Sequence, residues 1–254
     1  MRDKHTGTRP LLEIAVQDAT GAAVARAGGA DRVELCTALG ATGGLTPSPG
    51  TLAQVRSIGI EVHALIRNRP GGFVYDDAEL GAMADDIRSV GGLGTAGVVI
   101  GVLNADGEID VAACRLLIAA AREAPTPLHI TFHRALDVVA DQVAALATLA
   151  DLGVDRVLTS GGARQVGAGM AQLARLTQAR SGVQIMAGGG LTLDDLPALI
   201  EIGVDAVHLS AKRMAADPGR QGPGGGLGGG LEVTDPALVS AAAAVLNNID
   251  RRPR

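Results

Sequence analysis

Eight short apolar segments alternate with helical segments through most of this 254-residue chain. This alternation predicts parallel strands, because parallel neighbours need a crossover connection, which is usually a helix. Eight repeats in a chain of this length predict an α/β fold, a single-domain (β/α)8 TIM barrel, whereas an open doubly wound sheet would be expected to show a glycine fingerprint after the first strand. The predicted strands are Leu11–Val16, Arg32–Cys36, Glu61–Arg67, Gly97–Val102, Leu128–Arg134, Arg156–Thr159, Gln184–Ala187 and Ala206–Ser210. The predicted helices are Asp18–Gly28 with Asp18 as N-cap, 51–57, 76–90, Asp110–Glu123, Val138–Leu152, Ala163–Arg180, Leu193–Ile202 and Pro236–Asn248.

Two segments fall outside this alternation. Residues 1–10 are polar and are predicted to form a disordered leader, so the barrel domain is expected to span residues 11–250. Residues 217–231 are rich in Gly and Pro and cannot build a core, which predicts a mobile loop at the active face. Composition favours a disordered linker there over a lid that closes on a ligand.

The composition argues against several classes of partner. A net charge of −5 and an aromatic content of 1% leave neither a basic stripe nor stacking platforms for nucleic acid. The chain has no apolar run of the length that a membrane span needs, and its N-terminus lacks a signal-peptide core. Two cysteines make no disulfide framework, which fits a reducing compartment and predicts a cytoplasmic protein.

The fifth predicted strand carries polar residues at every second position. Such a period of two places the polar side chains on one face of the strand. Because helices cover the outside of a barrel, this polar face is expected to point inward, towards the end where ligands bind. The same test on the other strands adds further polar residues to the inward set. Four of the five histidines fall on it, namely His63, His129, His133 and His208.

The inward set predicts acid–base chemistry. Glu13, Glu34, His63, His133 and His208 are the candidate catalytic residues, because carboxylates and imidazoles exchange protons near neutral pH. The structural alternative is that the two glutamates merely pair with Arg67 or Arg32. Burying charges without a task does not reliably stabilise a protein, so the set favours a functional pocket. His129 lies four residues before His133 and is expected to have a structural role.

Glycine-rich turns after strands six, seven and eight predict an anion site. Backbone N–H groups approach an oxyanion closely where glycine leaves room, and these loops often bind phosphate in barrels. Such turns also occur for steric reasons alone, so arginines on neighbouring loops are needed to favour a phosphate or carboxylate ligand. The predicted ligand-binding residues are Arg67, Arg69, Arg134, Ser160, Gly161, Gly188, Gly189 and Ser210.

Cys36 points inward close to Glu34 and is the candidate metal ligand. A thiolate with nearby imidazoles suits Cu(I), whereas the structural alternative is a small buried apolar residue. Cys114 falls in a predicted outer helix and is expected to be inert.

Short motifs follow one another in order from residue 11 to about residue 211. They include Leu12-Glu13-Ile14, residues 30–36, residues 43–48, Ile66-Arg67 with Gly71-Gly72, residues 101–103 with Asp106-Gly107, residues 131–135 with Asp137, residues 158–161, residues 186–188 and Val207-His208. Together these motifs resemble the CutC copper-homeostasis family. The resemblance implies a cytoplasmic (β/α)8 barrel that forms a homo-oligomer, with cysteines near strand ends as Cu(I) ligands.

Two functional hypotheses follow from the sequence. The resemblance implies a copper-homeostasis protein that binds Cu(I) weakly through Cys36, with His63 or His133 as a further ligand. Ala15 stands where some relatives carry cysteine, so these strands offer no second thiolate. The inward residues instead predict an enzyme of the isomerase or lyase type that acts on a small anionic or phosphorylated metabolite.

Overall fold

A computed structural model describes residues 9–217, 219 and 230–248. Eight parallel strands close into a barrel in which each strand pairs with its sequence neighbour and β8 pairs with β1. The sequence therefore predicted the single-domain (β/α)8 barrel correctly. The strands are β1 Leu11–Val16, β2 Arg32–Leu35, β3 Glu61–Leu65, β4 Gly97–Ile100, β5 His129–Phe132, β6 Arg156–Thr159, β7 Gln184–Gly188 and β8 Ala206–Leu209.

Helices surround the barrel and bury its outer face. They are α1 Ala19–Ala27, α2 Leu39–Thr42, α3 Pro49–Ser57, α4 Asp77–Gly92, α5 Val111–Arg122, α6 Gln142–Leu152, α7 Val166–Gln178, α8 Leu196–Ile202 and α9 Pro236–Asn247. The apolar residues of each strand, such as Leu12, Ile14 and Val33, join the core between strands and helices. None of the helices in the described residues has the length and hydropathy that a membrane crossing requires.

Aspartates begin several of these helices. Asp18 accepts a hydrogen bond from the backbone N–H of Gly21, as its predicted N-cap role requires. Asp76 and Glu79 form a capping box at the start of α4, and Asp110 and Asp141 cap α5 and α6. Each carboxylate satisfies backbone N–H groups that have no partner within the helix, so these residues fix where the helices start.

Three features depart from the predicted elements. The short helix α2 was not predicted, and a 3-10 helix over Arg134–Val138 delays the start of α6. An antiparallel ribbon follows the barrel, formed by β9 Lys212–Ala215 and β10 Leu231–Thr234. The ribbon joins segments that lie far apart in the sequence, so local periodicity does not reveal it.

The two predicted irregular segments are described in part. Residues 1–8 of the predicted leader lie outside the described residues, while Arg9 contacts Asp31 through an ion pair of 2.7 Å. Most of the predicted loop over 217–231 lies outside the described residues as well. Its last residue, Leu231, belongs to β10.

Candidate active site

A cavity of about 410 Å³ lies at the carboxyl ends of the barrel strands. This is the end at which TIM-barrel enzymes place their active sites. The structure brings seven of the predicted site residues to its wall, namely Glu34, Arg67, His133, Arg134, Gly189, His208 and Ser210. Phe73, Leu65 and Leu158 supply apolar surface between these polar groups.

Beneath the cavity, Glu13 forms a buried charged cluster with Arg32 and His208. The Nε of Arg32 donates to one oxygen of Glu13, and Nδ1 of His208 lies 2.8 Å from the other. Burial opposes the charge on Glu13, but Arg32 and the hydrogen bond from His208 hold the pKa of that carboxyl well below its usual value. Burial also opposes the charge on His208, yet Glu13 and Glu34 raise its pKa. The arrangement therefore favours the protonated form of this imidazole at the cavity wall.

Glu34 lies beside this cluster, and one of its carboxyl oxygens has no hydrogen-bond partner in the described residues. That oxygen, Oε2, is buried. Burial raises the pKa of Glu34, the positive groups His208 and Arg32 oppose this effect, and the negative charge of Glu13 adds to it, with a net result of about 7. A carboxyl group with this pKa exchanges protons at neutral pH, which is the property a general acid–base residue needs.

His133 offers a neutral hydrogen-bond donor to the cavity. Its Nδ1 accepts from the backbone N–H of Ala135 at 3.0 Å, so the ring proton lies on Nε2. Burial, together with the charge of Arg67, lowers the pKa of His133 to about 3. Nε2 has no partner within the described residues and remains available to a ligand oxygen.

The guanidinium group of Arg67 donates its hydrogen bonds to backbone carbonyl groups. Nη1 donates to the carbonyl oxygens of Thr42 and Gly44, and Nη2 donates to that of Gly71. The residue thus ties the loops after β2 and β3 together at the cavity rim. Its charge faces the site, but its hydrogen bonds shape the loops.

Arg134 is held in place by Asp137 and Ser160. Nε of Arg134 donates to Asp137 at 2.7 Å, and Nη2 donates to Oγ of Ser160 at 2.9 Å. Gly189 has a φ of +109°, and a Cβ there would lie 2.7 Å from Nη1 of Arg134. Glycine is therefore required for the guanidinium to rest against the backbone, leaving Nη1 for a ligand anion.

The turn after β6 binds an anion from its own chain. Backbone N–H groups of Ser160 and Gly162 donate to the carboxylate of Asp137, and Oγ1 of Thr159 donates to it as well. Ser160 and Gly161 do not line this cavity, and Ser160 instead contacts Arg134 and Asp137, so the direct contact of this turn with a ligand stays a prediction. The amides that favour an oxyanion are already satisfied by Asp137.

Several other predicted site residues lie away from the cavity. His63 is buried lower in the barrel, where Nε2 lies 3.1 Å from Glu61, and burial lowers its pKa despite that bond. Arg69 pairs with Glu79 outside the barrel. Gly188 packs against Leu158 and His208, where a side chain would clash. His129, expected to be a structural residue, is 62% exposed at the start of β5.

Cys36 occupies an apolar position inside the barrel. It packs with Leu65 and Val99, and its Sγ lies 3.9 Å from the carbonyl oxygen of Val16. Burial and the charge of Glu34 raise the pKa of the thiol far above its usual value, so the thiolate is disfavoured. Within the described residues, the side chains that approach closely enough to share a metal ion are Glu13, Glu34 and His208, whose ligand atoms lie within 4.8 Å.

The sequence prediction left out two residues that organise the site. Arg32 was considered only as an ion-pair partner of a glutamate. Its position two residues before Glu34 places it on the same inward face. Asp137 was not assigned to the site. The spacing of Arg134 and Asp137 by three residues is the signal that the two side chains meet in a helical turn.

Comparison with known proteins identifies the family. The sequence model of the CutC family matches residues 10–213. A family protein CutC from Citrobacter koseri is 44% identical over 211 residues, which cover 83% of this chain and 83% of that protein. Its counterpart from Klebsiella pneumoniae is 45% identical over 202 residues, which cover 79% of this chain and 80% of that protein.

Solved structures agree with this result. A protein from Streptococcus agalactiae, whose name marks it as a candidate copper homeostasis protein CutC, has a TM-score of 0.72 and 31% identity, and covers 79% of this chain and 98% of that chain. A phosphoribosyl anthranilate isomerase from Thermus thermophilus has a TM-score of 0.58 at 13% identity, covers 94% of this chain and 99% of that chain, and shares the fold alone. The chain belongs to the CutC family.

Proposed function

We propose that this protein is an acid–base enzyme of the isomerase or lyase type that acts on a small anionic metabolite. The observation that carries the proposal is Glu34, a buried carboxyl on the cavity wall whose pKa is raised to about 7 and whose Oε2 has no hydrogen-bond partner in the part of the chain that the structure describes. An isolated buried carboxyl is costly to maintain. A role in proton transfer explains why the fold tolerates it.

In the proposed reaction Glu34 removes a proton from a carbon beside a carbonyl group. The electrons of the broken C–H bond form an enolate, and the negative charge moves to the carbonyl oxygen. Nε2–H of His133 supplies a neutral donor to that oxygen. In an isomerisation of a 2-hydroxy carbonyl substrate, the hydroxyl proton passes to the former carbonyl oxygen, and Glu34 returns its proton to the former carbonyl carbon, so that the carbonyl group moves to the neighbouring position. In a lyase reaction, the enolate expels a leaving group from the adjacent carbon, and protonated Glu34 gives that group its proton.

Positive groups on the wall favour an anionic substrate. Arg134 is fixed by Asp137 and Ser160 and keeps Nη1 for a carboxylate or phosphate oxygen. Glu13 raises the pKa of His208 against the effect of burial, and the charge of protonated His208 favours the ionised form of Glu34 between proton transfers. The glycine loop after β7 lets the guanidinium of Arg134 approach closely.

Hydrogen–deuterium exchange tests the proposed reaction. In D2O, the wild-type protein is expected to catalyse exchange at the carbon beside the carbonyl in one member of a panel of 2-oxo acids and sugar phosphates, observed by 1H NMR. Glu34→Gln is expected to slow that exchange by about a hundredfold or more, because the amide cannot accept the proton. Arg134→Gln is expected to weaken saturation by the same compound.

The control is Glu108→Gln, at an exposed glutamate that does not line the cavity. It should exchange the compound at the wild-type rate. Equal rates for the wild type and Glu34→Gln, or no exchange across the panel, would overturn the proposal.

Copper handling is the second candidate, favoured by the name of the Streptococcus agalactiae protein. The surroundings of Cys36 do not fit a Cu(I) site as they stand, because the thiol is packed among Leu65 and Val99 and its pKa is raised. Soft thiolates select Cu(I), whereas the carboxylates of Glu13 and Glu34 suit harder ions. The two free cysteines fit the proposed cytoplasmic location, and self-association remains a prediction.

An anaerobic Cu(I) titration against a chelator decides between the two candidates. We expect the wild type and Cys36→Ser to compete equally poorly for Cu(I), because the thiol is protonated and enclosed. Cys114→Ser is the matched control, since Cys114 is also buried but lies in α5. Tight one-to-one binding that disappears only in Cys36→Ser would establish copper handling instead.

A further inference from the structure

A second cavity of about 260 Å³ adjoins the reaction cavity. It lies between the start of α1 and the ribbon formed by β9 and β10. Ala15, Leu39 and Ser210 line both cavities, so the two spaces meet at the β8, β1 and β2 side of the barrel. The residues of the second cavity play no part in the proton transfer described above.

The ribbon is fixed over this side cavity by packing contacts. Its base is closed by a hydrogen bond of 2.7 Å from the backbone N–H of Asp235 to the carbonyl oxygen of Ala211. Thr234 sits against Gly21 of α1, where a Cβ would lie only 2.6 Å from its Oγ1. The side cavity is therefore a preformed space that the ribbon covers.

The lining of the side cavity suits an uncharged group. Val16, Val24 and Val233 contribute aliphatic surface. The charges at its wall are largely engaged within the protein, because Lys212 contacts Glu232 and Asp18 caps α1. Arg213 is exposed at the rim. An apolar group that entered this space would leave water without losing a charge interaction.

The positions of Arg134, Glu34 and the side cavity across the barrel set the direction in which a bound ligand would extend. Arg134 follows β5, which lies four strands from β1 in either direction around the closed sheet. Glu34 and His208, on β2 and β8, lie on the side of the barrel where the second cavity opens. A ligand whose anionic group binds Arg134 would extend past Glu34 and His208 towards the ribbon.

We infer that the side cavity under the ribbon is a subsite for an apolar, uncharged arm of the anionic substrate. The inference rests on the proposed function for its anionic anchor at Arg134. The substrate class is then an acid with three parts: an anionic group at Arg134, a reacting carbon at Glu34 and a short aliphatic or similar arm under the ribbon. A substrate that consisted of the anionic group and the reacting carbon alone would leave this space unused.

Straight-chain monocarboxylates from acetate to octanoate are the probes for the test. Their dissociation constants are measured by calorimetry on the wild type, Val233→Phe and Leu231→Phe. Val233 lines the side cavity, so phenylalanine there fills it, whereas Leu231 is exposed on the same ribbon and does not line it. The second substitution therefore controls for any general effect on the ribbon.

In the wild type and Leu231→Phe, the longer acids are expected to bind about threefold more tightly for each added methylene group. In Val233→Phe this gain is expected to disappear, while acetate binds as it does to the wild type. Acetate binding without a gain for longer acids would overturn the subsite and leave the proposed function standing. An equal gain in Val233→Phe would also overturn it, as would the absence of binding of any of these acids to the wild type, whereas the proposed function is overturned separately by the absence of deuterium exchange across its panel.

Discussion

Replacing Arg32 with methionine is expected to lower the free energy of unfolding by about 3–5 kcal/mol. Arg32 and Glu13 are both enclosed in the barrel, with side chains 3% and 0% exposed. Methionine fills much of the volume but removes the arginine charge that pairs with Glu13, which then keeps its hydrogen bond with His208. Urea denaturation at pH 7 measures the loss, which should appear as a lower midpoint with an unchanged slope.

Two variants test the reason for this loss. The double variant Arg32→Met with Glu13→Gln removes both charges and is expected to recover much of the lost stability, because position 13 no longer carries a charge that has lost its arginine partner. Arg88→Met breaks exposed ion pairs with Asp85 and Glu123 and is expected to shift the midpoint very little. A double variant as unstable as Arg32→Met would show that packing, and not charge, causes the effect.

The buried cluster of Glu13, Arg32 and His208 shows which parts of the site could be predicted from the sequence. Alternation within each strand is a local property, so it placed Glu13, Glu34 and His208 on the inward face correctly. Alternation does not show how far along the barrel axis each side chain lies, because strands in a closed barrel are tilted and staggered. His63 and His133 share the inward face, but the first lies beside Glu61 and the second beside the cavity.

Anion recognition shows a second limit of sequence reasoning. The Ser160-Gly161-Gly162 turn has the composition of an oxyanion site, and its amides do bind a carboxylate. That carboxylate belongs to Asp137, so composition indicated the chemistry of the turn and missed its partner. The ribbon escaped prediction for a related reason, since the pairing of Lys212–Ala215 with Leu231–Thr234 depends on contacts between distant segments.

These observations place the ionisable groups of the barrel at two levels. At the lower level, Glu13 pairs with Arg32 and accepts a hydrogen bond from His208, whose pKa it raises against the effect of burial. At the cavity wall above them, Glu34 and His133 have pKa values shifted in opposite directions, to about 7 and about 3. Such separation assigns different tasks to neighbouring groups, a proton carrier in Glu34 and a neutral donor in His133.

The raised pKa of Glu34 makes stability depend on pH in a definite direction. In the unfolded chain this carboxyl ionises near its usual pKa of 4.5, whereas in the folded protein it ionises near 7. The stability that protonated Glu34 contributes is complete below pH 4.5 and is lost as the pH rises to about 7. The shift corresponds to a cost of about 3 kcal/mol to the folded protein above that range.

Glu34→Gln is therefore expected to be more stable than the wild type at pH 8, by about 3 kcal/mol, and close to it at pH 4.5. The amide has the shape of the protonated acid and cannot ionise, so the difference should grow between these pH values. Urea denaturation of both proteins across this range measures it, with Glu108→Gln as the control for removing an exposed carboxylate. A difference that stayed constant with pH would show that Glu34 titrates alike in the folded and unfolded chain. A stability gain at pH 8 together with loss of deuterium exchange would show that the fold accepts a destabilising carboxyl because catalysis requires it.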